Sequence, residues 1–226
     1  MSPPPDFDPA ESRLERPPRV YGFVRAVVTA NQGDPQNLAR IQVSYINFPQ
    51  TGGVSAWARL VTPMAGAGYG MCFIPEVDDE VIVLFEQGDI DLPVIAGAVW
   101  NGAHLPPYNN EDKSDNLRKL RSRSGHTVLL DDTKGAEQIV IVDKTEQNKI
   151  TFDSVNNVIT IASSKDVQVT TKGNLALSSD GDVTIGCNNF KVTAQASVSI
   201  EAQGASLDLK CMPGGVKLNT DGLVVK

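Results

Sequence analysis

The stretch IVIVDKTEQNKITFDSVNNVITIASSKDVQVTTKGNLALSSDGDVTIG, residues 139–186, repeats one short phrase. Two apolar residues stand one residue apart, a polar turn follows, and the pattern returns about every eight or nine residues. The pairs are Ile139/Ile141, Ile150/Phe152, Ile159/Ile161, Val167/Val169, Leu175/Leu177, Val183/Ile185, Val198/Ile200, Leu207/Leu209 and Val216/Leu218. Period-two alternation makes each phrase a strand with one apolar face. Its recurrence makes the set a stack, and about half of the chain becomes one elongated β object.

One such strand cannot bury its apolar face alone. A single-chain solenoid needs two or three faces per coil and a repeat of about 20 residues or more. Three chains wound about a common axis satisfy a repeat of one strand. Each chain supplies one face per level, each strand pairs with neighbours from the other two chains, and cyclic closure removes exposed edges. At ~4.8 Å per level, eleven or twelve levels give a rod of roughly 50–60 Å. Interlocked chains also imply high kinetic stability.

Composition agrees with a β protein of modest cores: 226 residues, 41% hydrophobic and 6% aromatic. The charge divides unevenly. Residues 1–118 hold 8 Lys+Arg and 15 Asp+Glu, whereas residues 119–226 hold 12 of each. A neutral rod beside an acidic half lacks the basic stripe that nucleic acid requires. No apolar run reaches a membrane span, and MSPPPDFDPAESRLERPP has no signal-peptide pattern, so synthesis in the cytoplasm is expected. Cys72, Cys187 and Cys211 are too few and too scattered for a disulfide framework.

Ahead of the repeats the text changes. Residues 1–18 read as a Pro-rich flexible arm and 19–102 as a small closed barrel. Residues 103–118 form a polar linker with a helical turn after Asn110, and 119–226 the β-helical needle. Barrel strands are expected at Val20–Thr29, Leu38–Ile46, Ala56–Thr62, Met71–Ile74, Val81–Phe85 and Val94–Val99, separated by NQGDPQN, FPQTGG, EVDDE and GDIDLP. The expected fold is therefore all-β: an OB-type barrel followed by an intertwined trimeric β-helix.

Ser55–Gly102 resembles the OB domain of contractile-tail spike proteins, the family of phage baseplate assembly protein V, the T4-type central spike and the VgrG proteins. The likeness rests on Trp57 and Arg59 before the Gly/Ala-rich Met64–Gly70, on Pro75, Val77, Asp79, Glu80 and Val81, and on Gly88, Asp89, Asp91 and Pro93. Ala39–Tyr45 is similar to the family's G-R-V-K-V-x-F strand, and Ser122–Glu137 to its neck. The resemblance implies a homotrimeric baseplate spike that docks under a hub and tube and pierces a cell envelope. Residues 103–118 are too few for an inserted lysozyme, and the Pro-rich arm implies a hub on a separate chain. His104 and His126 lie far from the C-terminus, so an H-x-H iron tip is not expected, and a separate PAAR-type cap or a blunt tip is. These departures point to a phage-like baseplate or phage-derived injector rather than type VI secretion. The component would belong to a virion tail or an extracellular contractile particle.

No catalytic, cofactor-binding or metal site is expected, and no cofactor. Gly66–Gly70 (GAGYG) lacks phosphate-loop spacing and reads as a tight loop of close chain approach. Glu76, Asp78, Asp79, Glu80, Asp89 and Asp91 sit where turns place acidic residues. Ser124, His126 and Asp131 or Asp132 have triad residue types but lie along one strand-like segment and cannot converge. Cys187 and Cys211 share parity with the inward pairs beside them and could meet symmetry copies on an axis, where a small apolar filler is the ordinary role. Competing readings are an OB module gripping carbohydrate or single-stranded nucleic acid on a β stalk, a type VI-like spike carrying effectors, and an envelope-degrading enzyme. The first lacks a basic, aromatic-studded groove and the last lacks a catalytic constellation.

Overall fold

A computed structural model describes residues 19–47, 55–204 and 206–210. The chain divides into two units, Met1–Gln168 and Val169–Lys226. Seven strands belong to the first part of unit one: β1 (Val24–Ala30), β2 (Gln42–Tyr45), β3 (Arg59–Leu60), β4 (Ala65–Gly66), β5 (Tyr69–Gly70), β6 (Glu80–Phe85) and β7 (Pro93–Ala98).

Five of them form one sheet in the order β2-β1-β6-β7-β3, antiparallel except for β3 beside β7. The strip curls shut where Ile41 and Ala58 exchange backbone hydrogen bonds of 3.0 and 2.8 Å. Ser55 extends the seam: its N–H donates to the Val43 carbonyl at 2.8 Å and its Oγ accepts the Val43 N–H at 2.9 Å. Closure by this short antiparallel bridge, with β3 lying parallel to β7, gives an OB-like curled sheet with little open edge.

Alternation explains the core. Ala26 and Val28, Ile41 and Val43, Val81, Val83 and Phe85, and Ile95 all point inward and are buried with Ala58. Each fully buried Val or Ile contributes about 1.5–3 kcal/mol. The long β1–β2 loop is fixed by Asp34, whose carboxylate accepts the N–H groups of Gln36, Leu38 and Arg40 and pairs with the Arg40 guanidinium at 2.6 Å. That arginine, then the three amides, hold the Asp34 carboxyl well below the usual carboxylate range.

Met71–Ile74 forms no strand, contrary to expectation. The barrel seam is completed by β3 against β7, which leaves this segment without a partner strand. Residues 65–70 instead form the β4–β5 hairpin. The expected close approach at Gly66–Gly70 is present: a side chain at Gly66 would strike the Tyr69 ring, and one at Gly70 the Met64 carbonyl. The turn expected after Asn110 is closed by the Lys113 N–H donating to the Asn110 carbonyl at 3.0 Å.

Unit one continues in an antiparallel meander: β8 (Leu117–Arg121), β9 (Thr127–Asp131), β10 (Gln138–Val142), β11 (Lys149–Asp153) and β12 (Val158–Ala162), in sequential order. These strands pair within their own chain, which corrects the expectation that every repeat pairs only with other chains. The reversals explain why. The four connections contain left-handed residues at Gly125, Gly135, Glu146 and Asn157, the backbone state that tight reversals need.

Beyond Ala162 the described residues, 163–204 and 206–210, form no strand or bridge within the chain. No described residue from 158 to 203 has a positive φ. In unit two, bends fall at residues 172–173, 180–181, 188, 195–196 and 203–204. Cys211 and Val216/Leu218 lie outside the described residues.

Ile95→Ala should destabilise the barrel by about 2–5 kcal/mol through a cavity at a fully buried position. Trp57 and Trp100, the two tryptophans of the chain, both fall in the barrel half, so tryptophan fluorescence during denaturant unfolding reads that change.

Candidate functional site: an uncovered apolar sheet face

Register places nine large apolar residues of the meander on one face in two rows. One row runs Leu120, Val128, Ile141, Ile150 and Ile161. The other runs Leu130, Ile139, Phe152 and Ile159, with Arg118 at its head. In a globular sheet such a face lies under a second layer. Here Phe152 is 38% exposed, Ile141 45%, and Ile159 and Ile161 65%. Contiguous exposed apolar surface of this kind marks a contact site. A groove of roughly 520 Å³ follows it from Leu120 and Val128 across Ile141 and Ile150 to Val167.

Aspartates at the strand ends hold the sheet without a second layer. Asp131 accepts the Thr133 N–H at 3.0 Å. Asp143 accepts the Thr145 N–H and Oγ–H and the Asn148 Nδ2 at 2.9 Å. Asp153 accepts the Val155 and Asn156 N–H groups and the Asn156 Nδ2. Such side-chain caps replace backbone partners that a tight reversal leaves unmade. The Asn148 amide, then Thr145, bring the Asp143 carboxyl down to about 2. The Thr133 hydroxyl does the same for Asp131 in direction, and the Asn156 amide for Asp153. In the sequence these caps appear as an aspartate within two residues of Val128/Leu130, Ile139/Ile141 and Ile150/Phe152.

The residues weighed for chemistry make local polar contacts. Glu76 pairs with Arg123 at 2.9 Å, and its N–H donates to Asp79 at 2.8 Å. Asp79 also stands 3.7 Å from His104. Glu80 accepts from Arg25 at 3.2 Å and from Asn101 at 3.0 Å. Asp89 caps the Asp91 N–H at 3.0 Å. His126 offers Nδ1 to the Lys144 N–H at 3.3 Å, and Ser124 lies against Ser122 rather than against His126. Cys72 and Cys187 are exposed and separate. Among the described residues no group of three His, Cys, Asp or Glu is placed to hold a metal, and no helix is long and apolar enough to cross a membrane.

The barrel motifs thereby acquire physical roles. Arg59 pairs with Glu86 across the barrel rim. Gly88 has φ +80° and lets Arg19 and Tyr21 pack close, while Val20 donates to its carbonyl at 2.9 Å. Pro93 then opens β7, buried. Together these features define a class: an OB-like barrel leading into a one-sided sheet and an extended apolar repeat.

Residues 24–100 match the family described as the type VI secretion system/phage-baseplate injector OB domain. Over 141 residues the chain is 37% identical to the type VI secretion system spike protein VgrG4b of Pseudomonas aeruginosa, covering 57% of this chain and 17% of that protein. Over 151 residues it is 30% identical to VgrG1a of the same organism, covering 61% and 24%. A 34% match over 91 residues to the actin cross-linking toxin VgrG1 of Vibrio cholerae covers 38% of this chain and 8% of the toxin. The chain thus spans about a fifth of the length of the spike relatives it matches. Residues 24–100 thus match an injector OB domain, and the chain is similar to VgrG-type spike proteins, in line with the resemblance of its barrel motifs.

Asp143→Ala should destabilise the β10–β11 turn at neutral pH. Because the folded-state pKa is depressed, the carboxylate's contribution is complete above the ordinary value near 4 and is lost as pH falls through about 2. Thermal unfolding followed by circular dichroism should show the gap between wild type and variant closing below pH 3. A gap unchanged down to pH 2 would contradict the charged cap.

Proposed function

We propose that this chain is the structural central spike of a contractile injection machine, acting as a homotrimer. The observation that carries the reading is the uncovered apolar face of β8–β12, followed by a run of apolar pairs that, among the described residues, find no partner strand in the chain. Three-fold symmetry supplies both needs: three faces cover one another, and the extended segments pair between chains as an intertwined β-helix.

In this assignment residues 1–18 are an arm and 19–102 the barrel that docks to the hub under the tube. Residues 103–118 join the barrel to the needle, 119–226. A PAAR-type cap at the tip and transient contact with the target envelope complete the partners. The work is mechanical rather than catalytic. Parting three interlocked chains requires breaking many backbone hydrogen bonds together, so axial load from sheath contraction is borne without unfolding. The spike names of the relatives support this reading, as does the injector description of the OB family.

Sedimentation equilibrium of the purified protein should give three times the 24.2 kDa chain mass. A monomer at micromolar concentration would refute the trimer. Ile141→Asp places a carboxylate in the middle of the apolar face, where burial without a partner is prohibitive. The variant should lose the trimer, and a fully assembled variant of wild-type stability would count against this face as the contact.

A further inference from the structure

The stretch V-T-P-M-A-G-A-G-Y-G-M-C-F-I, Val61–Ile74, contains no charged residue, although 21% of the whole chain is charged. It is not hidden within its own barrel. Val61 and residues 63–73 are exposed, among them Met64, Tyr69, Met71, Cys72 and Phe73. Its tether is light: the Thr62 hydroxyl donates to the Met71 carbonyl at 2.6 Å, and β4 and β5 pair over two residues each. The Tyr69 ring covers Gly66 and remains largely open to solvent. An uncharged apolar hairpin standing off a barrel marks a surface that is covered in the working assembly.

Two observations choose the occupant. The first is charge. Residues 19–102 carry 4 Arg, no Lys and 8 Asp+Glu, so three neighbouring barrels repel one another wherever their charged surfaces approach within about a 10 Å screening length. The hairpin is an uncharged and exposed stretch through which they can touch. The second is continuity with the apolar sheet face. The foot of the hairpin, Phe73, lies three residues from Glu76, hence within about 11 Å of chain. Glu76 is bonded to Arg123 in the β8–β9 connection, and Ser122 and His126 of that connection line the groove on the sheet face. The uncharged surface therefore begins beside the face on which the copies meet.

We infer that the Val61–Ile74 hairpin is the contact through which each barrel packs against the barrel of a second copy of this chain. The inference rests on the trimeric reading above. Within the trimer, attachment to a shared needle raises the effective concentration of neighbouring barrels to the millimolar range, so a weak uncharged contact suffices.

Cys72 reports the contact without a foreign probe, because it is exposed in the single chain and lies in the hairpin. The full-length protein is pulse-labelled with a maleimide, and the extent at Cys72 is read by peptide mass mapping against the denatured chain. Cys72 should react at least tenfold more slowly in the native trimer. Tyr69→Asp and, separately, Phe73→Asp should restore its reactivity while sedimentation still gives a trimer held by the needle. Labelling of wild-type Cys72 at the denatured rate in a protein that sediments as a trimer would overturn the inference and leave the trimer standing. Protection that appears only when another baseplate protein is added would also overturn it, by assigning the surface to that partner. Protection that survives both aspartate variants would do the same. A monomer on sedimentation would remove the trimeric reading and this contact together.

Discussion

A five-stranded sheet with two apolar rows on one face and no layer above it cannot be the end state of a folded chain. The exposed rows hold Leu120, Val128, Leu130, Ile139, Ile141, Phe152, Ile159 and Ile161. Each side chain moved from water to a packed interior contributes about 1.5–3 kcal/mol. The rest of the molecule is organised around that unmet face. Aspartate-capped turns hold the sheet together before it is covered. The described residues after Ala162 repeat the same apolar pairing with no ladder within the chain, so their backbone groups need partners from elsewhere. The proposed trimer answers both through one requirement, burial by symmetry copies.

The barrel meets the sheet through a compact set of polar contacts around the turn that opens β6. Asp79 and Glu76 cap each other's backbone, Glu80 holds Arg25 and Asn101, and Glu76 reaches Arg123 in the neck. Exposed pairs of this kind contribute little individually. Their effect here is positional, since they gather β1, the segment after β7 and the β8–β9 connection about one turn. A cluster of carboxylates that invites a metal or hydrolase reading is thus a joint in the scaffold.

Much of this was legible in the sequence, and the reasons are local. Val81, Val83 and Phe85 alternate with Ile82 and Leu84, and the buried set follows that alternation. Ile139/Ile141, Ile150/Phe152 and Ile159/Ile161 fall on one face at register positions that face one another. Two further phrases, Val128/Leu130 and Phe190/Val192, belong to the same repeat and are absent from the pairs read off the sequence. The change from cis hairpins to an unpaired extended run was not legible. It depends on backbone φ at the reversals: left-handed at Gly125, Gly135, Glu146 and Asn157, and nowhere from 158 to 203 among the described residues. Glycine at 173, 181 and 186 permits that state without requiring it, so composition alone cannot mark the switch. The β4–β5 hairpin was read as a loop for a related reason, since strands of two residues carry no periodicity.

Hydrogen exchange on the purified protein across residues 167–204 tests the central claim most directly. Within one chain these amides have no ladder and would exchange as an unstructured segment does. Pairing between three chains predicts protection lasting hours, rising to the level of the β9–β11 core. Complete exchange within seconds in a protein that sediments as a trimer would contradict an intertwined needle.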